Sequence, residues 1–258
     1  MEDKNIIEFI DVDIGHSNNL IVGDVSLSIK EEDFVLITSS KNSGKTTLLE
    51  TIVGITKPLS GHISVHGEKN FLDYNHLISY IPQYFKLNSD TFSSLDVILM
   101  GIITKKSWFP KLSESDKESS LKLFNLLDID KSPNDKFSNL SLLEKKKVLI
   151  ARSLINDPKV LVLDEIDEDL NLKERVKLAN FLKKIKKKRN LTILLSSKYF
   201  NQYNHIINKI LFLEKNKNKS QIHYGEPKKI ITEKLLKGVY RTNIKSFNDG
   251  ENIYIVNN

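Results

Sequence analysis

The chain has 258 residues, 40 % hydrophobic and 28 % charged, with a formal net charge of +6 and a pI near 9.1. That is a globular composition, long enough for one large domain or a domain with an appended lobe. The lack of cysteine excludes disulfides and thiolate metal sites, and no apolar run approaches the roughly 20 residues that span a bilayer.

The start, MEDKNIIEF, carries acids and no apolar core. No secretory signal is expected, and the expected location is cytoplasmic, with any membrane role passing through a partner. The positive charge alone would permit nucleic acid. The densest basic run, KKIKKKR (183–189), follows Leu178, Phe181, Leu182 and Ile185 at helical spacing. It reads as the solvated face and last turn of an amphipathic helix, so no nucleic-acid partner is expected.

In chain order, residues 5–36 hold alternating segments suited to a half-exposed antiparallel sheet. FVLIT (34–38) is a short apolar run of the kind found in buried parallel strands. TTLLETIVGI (46–55) has helical spacing, with Gly54 and Pro58 marking its end. SGHISVHG (60–67) returns to alternation, and HLISYIPQ (76–83) is a strand stopped by Pro82. Residues 88–157 are rich in helix. KVLVLDE (159–165) is a buried strand ending in acids, KERVKLANFLKKIKKK a helix, and LTILLSS (191–197) a third buried strand. NKILFLEKNKNKSQIHYGEP is expected to form a hairpin, KKIITEKLLKGVY (228–240) one helix, and IYIV (253–256) an edge strand. Strands alternating with helices predict an α/β core with a parallel sheet, and the insert between Gln83 and Lys159 predicts a separate helical lobe.

Two places carry chemistry. The stretch Ser39-Ser40-Lys41-Asn42-Ser43-Gly44-Lys45-Thr46-Thr47 lies between a predicted strand and a predicted helix. A phosphate loop needs that context, with inward N–H groups, a lysine and a hydroxyl for magnesium. The written pattern is G-x-x-x-x-G-K-S/T, and Ser39 stands where its first glycine would be. Serine serves there if its φ is negative, and Asn42 is a residue type that accepts a left-handed turn. The second place is the pair Asp164 and Glu165, at the carboxyl end of a buried strand, where α/β sheets place ligand-binding groups. In nucleoside triphosphatases such a pair holds hydrated Mg²⁺ and orients the attacking water.

Together these segments resemble the ATP-binding subunit of ABC transporters over about residues 5–240. Gly44-Lys45-Thr46-Thr47 looks like Walker A, YIPQ puts Gln83 at the Q-loop, and Asp164-Glu165 match Walker B. NLSLLEKKKVLIARSLINDPKVLVLDE (139–165) is similar to the helix running from the signature motif into Walker B. LDVILMGI, SWFPKLSESDKESSLKLFNLLDI and GEPKKIITEKLLKGVY resemble the importers of manganese, zinc or iron, features that some iron-chelate importers share.

The resemblance implies a P-loop NTPase fold with a parallel-sheet core, an antiparallel β subdomain and an inserted helical subdomain (about 88–157). It implies one domain over 1–240, followed by a C-terminal extension (241–258). It also implies ATP and Mg²⁺ as ligands, a second ATP-binding subunit and an integral membrane permease as partners, and a peripheral place on the inner face of the membrane. Glu165, Gln83 and Lys198 take the catalytic positions. Thr46, Gln83 and Asp164 take the metal positions. His16 falls near the place of the adenine-stacking aromatic, and Ser141 meets a partner's γ-phosphate.

Several positions depart from the family pattern. The signature, usually Leu-Ser-Gly-Gly-Gln, reads Leu140-Ser141-Leu142-Leu143-Glu144, and its leucines obstruct the backbone approach that glycine allows. Ser141 and Glu144 still predict a capping box at a helix start. Lys198 stands where the switch histidine is expected, and an ordinary lysine does not shuttle protons near neutral pH. Glu168-Asp169-Leu170-Asn171 replaces Ser-Ala-Leu-Asp, and Ile166 replaces a proline. The expectation is an ATPase driving metal-ion import. The alternatives are a weakly hydrolysing subunit in a switch or asymmetric dimer, and a soluble ABC protein without a permease.

Overall fold

The computed structural model describes residues 4–17, 19–39, 43–84, 87, 91–106, 112–216, 219–240, 244–248, 250 and 252–257. The chain opens with β1 (Asn5–His16) and β2 (Asn19–Lys30), a long antiparallel hairpin. β3 (Phe34–Ser39) follows, then α1 (Lys45–Ile52) and β4 (Ser60–Val65), which pairs with the free edge of β1. The short α2 (Phe71–Tyr74) leads into β5 (Ile78–Ile81). Three helices come next: α3 (Ser94–Lys106), α4 (Glu114–Asn125) and α5 (Leu142–Leu154). β6 (Val160–Asp164), α6 (Leu172–Arg189), β7 (Thr192–Ser196) and the one-turn α7 (Phe200–Tyr203) restore the α/β alternation. β8 (Lys209–Asn216) and β9 (Lys219–Gly225) form the predicted hairpin. The chain ends with α8 (Pro227–Ile230), α9 (Glu233–Tyr240), β10 (Ile244–Asn248) and β11 (Ile253–Asn257).

Among the described residues, nine strands join one sheet in the order β4-β1-β2-β9-β8-β3-β7-β6-β5. The half from β8 to β5 is parallel. Its central strands are buried along their whole length because both faces are covered. Their side chains alternate between two cores. Phe34, Leu36, Leu161 and Leu163 pack with the helices α3 to α7. Val35, Ile37, Val160 and Val162 pack with α1 and the antiparallel strands. On α1, Leu48, Leu49 and Ile52 are fully buried, each worth about 1.5–3 kcal/mol.

Register then fixes where the chemistry can sit. Ile37 pairs with Ser196, Ser196 with Asp164, and Leu163 with Ile81. The carboxyl ends of β3, β5, β6 and β7 therefore reach one sheet edge together, and the loops carrying Gly44, Gln83, Glu165 and Lys198 leave from it.

The C-terminal region differs from expectation in two ways. The single helix expected over 228–240 is two, because Ile231 turns into the core at 2 % exposure and leaves helical geometry at ψ 84°. IYIV belongs to β11, which does not edge the main sheet but pairs with β10 in a separate ladder. Asn201 of α7 pins that ladder, donating to Ile255 O and accepting from Ile255 N, both at 2.8 Å.

Candidate nucleotide site

Ser39 closes β3 in extended conformation and is outside the set of residues with positive φ, which meets the condition for serine at that place. Ser40, Lys41 and Asn42 lie outside the described residues. Ser43 is buried, and its carbonyl accepts from the buried Ser220 hydroxyl at 2.8 Å, tying the loop to β9. Gly44 sits at φ 93°, and a methyl group there would run into Ile21, so glycine is required on both counts. Lys45 then opens α1. That helix has no acid in its first turn and no side-chain cap among the described residues, so its positive end faces the loop unscreened.

The walls of the site come from β6. Lys45 Nζ lies 2.9 Å from Glu165 Oε1, and the Thr46 hydroxyl donates to Asp164 Oδ2 at 3.0 Å. Asp164 is 1 % exposed, and its other oxygen, Oδ1, is buried without a hydrogen-bond partner among the described residues. Burial pushes this carboxyl above the ordinary aspartate range, and the Thr46 hydroxyl works against it. An unpartnered carboxylate oxygen beside a hydroxyl suits a hard divalent cation. Burial and then the Asp164 charge also push the Tyr80 hydroxyl up. Glu165 has φ 44°, uncommon for a non-glycine residue. Its amide donates to Ser196 O at 3.1 Å, which holds the turn.

Gln83 joins from β5. Its Nε2 donates to Glu165 Oε2 at 3.2 Å and to Glu168 Oε2 at 2.6 Å. Lys198 Nζ donates to Glu168 Oε1 at 2.9 Å. Its ammonium is held above the ordinary lysine range by that carboxylate, so it acts as a cation and not as a proton shuttle. On the opposite side, the His16 ring nitrogen lies 3.3 Å from the Thr47 hydroxyl. Of the proposed residues, Lys45, Thr46, Asp164, Glu165 and Gln83 thus meet directly, Lys198 joins through Glu168, and His16 joins through Thr47. Ser141 stands on α5, where its capping box with Glu144 is formed. A groove of about 310 Å³, lined by Tyr80, Pro82, Gly101, Leu149, Arg152 and Asn156, opens beside Gln83.

Three residues went unassigned in the sequence. Glu168 was visible as a departure from serine, and nothing local said which partners it would take. Asp167, 1 % exposed, accepts from Ser197 Oγ at 2.6 Å and from Tyr203 at 2.8 Å. Tyr80 read only as a strand residue.

A phosphate loop between a parallel strand and a helix, facing paired carboxylates at the end of β6, one strand removed from β3 across β7, defines a nucleoside-triphosphate-binding α/β protein. The ABC transporter family model matches residues 22–168, and the chain belongs to that family: it is an ABC ATPase, the ATP-binding subunit of an ABC transporter. It is 29 % identical over 216 residues to the high-affinity zinc uptake system ATP-binding protein ZnuC of Bacillus subtilis, covering 82 % of this chain and 92 % of the relative. It is 26 % identical over 224 residues to the molybdate import ATP-binding protein MolC of Haemophilus influenzae, covering 87 % and 83 %. Among solved structures, a chain described as part of a metal-chelate type ABC transporter in an inward-facing conformation superposes with a TM-score of 0.82. It shares 23 % identity and covers 98 % of this chain and 96 % of that one. Among the described residues, no helix is long and apolar enough to cross a membrane.

Proposed function

We propose that this chain is the ATP-hydrolysing subunit of a metal-ion importer, peripheral on the inner face of the cell membrane. It pairs with a second ATP-binding subunit beneath an integral membrane permease. One ATP-binding domain spans residues 1–240, with its helical subdomain at about 88–157 and an extension over 241–258.

The nucleotide reading is carried by one observation: Lys45 and Thr46 at the head of α1 touch Glu165 and Asp164 at the end of β6. Lys45 bridges the β- and γ-phosphates. Thr46, Asp164 and Gln83 would hold Mg²⁺, which would neutralise phosphate charge. Glu165, released when the triphosphate draws Lys45 away, orients the attacking water. Gln83 reports the state of the site to the groove beside it, where a permease segment docks. His16 lies against the base. Support for metal-ion cargo comes from the names of the relatives, and a molybdate importer among them leaves the ion's identity to the permease.

A second reading, weak hydrolysis within an asymmetric pair, is favoured by the signature helix, where Glu144 already occupies the Ser141 amide and hydroxyl at 2.8 Å each. The deciding experiment is ATP binding and turnover by the purified chain. Lys45→Ala is expected to abolish binding of a fluorescent ATP analogue, and unchanged affinity would show the site to be misplaced. Turnover by the chain alone that Glu165→Gln abolishes supports the first reading. Turnover that appears only on adding a second ATPase supports the second.

A further inference from the structure

Glu168 carries two donors on its two carboxylate oxygens. Oε1 takes the Lys198 ammonium at 2.9 Å and Oε2 takes the Gln83 amide at 2.6 Å. The same Gln83 nitrogen reaches Glu165 Oε2 at 3.2 Å, and Glu165 Oε1 holds Lys45 at 2.9 Å. Five side chains from four segments, Glu165 and Glu168 sharing the loop after β6, are thus linked in series, Lys45–Glu165–Gln83–Glu168–Lys198, with cations at both ends and carboxylates inside. The backbone at Glu168 is held firmly. Its amide donates to Glu165 O at 3.2 Å, and its carbonyl accepts from Arg175 at 3.3 Å. The Arg175 guanidinium in turn lies 3.3 Å from the centre of the Tyr199 ring. The main chain from which the carboxylate extends is therefore anchored.

We propose that Glu168 is a positioning residue that holds Lys198 and Gln83 away from the terminal phosphate, so that the site distinguishes a triphosphate from a diphosphate less sharply than its cations would allow. The proposal rests on the reading of the loop as an ATP site. A γ-phosphate competes with Glu168 for Lys198, just as the phosphates compete with Glu165 for Lys45. A diphosphate has no terminal group to reach Lys198 and does not sense Glu168. The two side chains of the Glu168–Lys198 pair are 35 % and 52 % exposed, so the competition is modest, about two- to fivefold in affinity.

The test titrates the full chain with ADP and with the non-hydrolysable β,γ-imido analogue of ATP, by calorimetry. Glu168→Gln, which keeps an acceptor for Gln83, is expected to tighten the imido analogue about two- to fivefold and leave ADP unchanged. In a Lys198→Met background the same change is expected to have no effect on either. Equal shifts for both nucleotides, no shift, or a gain that survives without Lys198 would overturn the proposal. Lys45→Ala in the same titrations separates the two failures. If it leaves affinity intact, the ATP reading falls and takes this proposal with it. If it abolishes binding while Glu168→Gln matches wild type, only the role of Glu168 falls.

Discussion

Replacing Tyr203 by phenylalanine isolates one bond in the support of the loop that follows Glu165. Tyr203 is fully buried, and its hydroxyl donates to Asp167 Oδ2 at 2.8 Å, beside the Ser197 hydroxyl at 2.6 Å on the same oxygen. The ring stays and only the bond to a buried carboxylate is lost, a change worth about 1.5–3 kcal/mol. In a chain of this size 1 kcal/mol moves Tm by about 2–4 °C, so a fall of about 3–12 °C is expected. The pH dependence gives a second check. Burial pushes the Asp167 carboxyl above the ordinary aspartate range, with the Ser197 and Tyr203 hydroxyls opposing. An acid raised in the folded state contributes stability that is present in full below its unfolded value and is lost as pH rises through the folded one. Wild type should therefore gain on Asp167→Asn as pH falls from neutral through that raised value. Tyr203→Phe, by removing a bond to the charged form, should begin its gain at higher pH. Scanning calorimetry across mildly acid to neutral pH measures both. A loss under about 0.5 kcal/mol, or a pH slope that Asp167→Asn leaves unaltered, would refute the argument.

The two signature leucines should separate cleanly under denaturant. Leu143 is 7 % exposed and part of the helical core, so Leu143→Ala is expected to cost about 2–5 kcal/mol, while Leu142, 37 % exposed, should change stability by less than about 0.5 kcal/mol as alanine. Asn201→Ala removes both 2.8 Å bonds that hold Ile255. It should cost about 1–3 kcal/mol and open the segment 244–257 to limited proteolysis, and an unchanged cleavage pattern would count against Asn201 as the anchor.

Legibility followed how local each feature's cause was. FVLIT and KVLVLDE read as buried strands because unbroken apolar runs have one good use in an α/β sheet, and both are buried throughout. The capping boxes of α5 and α6 lie within four residues, and Ser141–Glu144 was readable as written. Strand order was not readable. That β9 and β8 stand between β2 and β3 depends on pairing across most of the chain, and periodicity carries no trace of it. The same holds for Glu168, whose partners lie 85 and 30 residues away. Ile231 looked like one more apolar helix position, and only the core beneath it explains why the helix breaks there. The two signature leucines are adjacent in sequence and equal in hydropathy. Which of them faces the core is a matter of helix phase that the motif left open.

The heads of α1 and α5 show how similar local geometry leads to opposite chemistry. Each helix end directs its first-turn N–H groups outward and carries a positive dipole end of about half a charge. At α1, Gly44 turns the chain in left-handed and no acid follows in the first turn, so the attraction for an anion is directed outward. At α5, the Glu144 carboxylate accepts from both the amide and the hydroxyl of Ser141. Burial opposes its charge, but the Ser141 hydroxyl and amide, with Lys131 and Lys147 nearby, hold its carboxyl below the ordinary glutamate range. The position is glutamine in the family pattern, neutral and without this claim on the helix end. A phosphate arriving at α5 must displace a charge-assisted pair of hydrogen bonds and then face like-charge repulsion from the carboxylate it displaced. A phosphate arriving at α1 displaces only the contact of Lys45 with Glu165 and keeps the lysine. The asymmetry between the two helix ends is thus written into single residues, and it follows from charge and capping without reference to any partner.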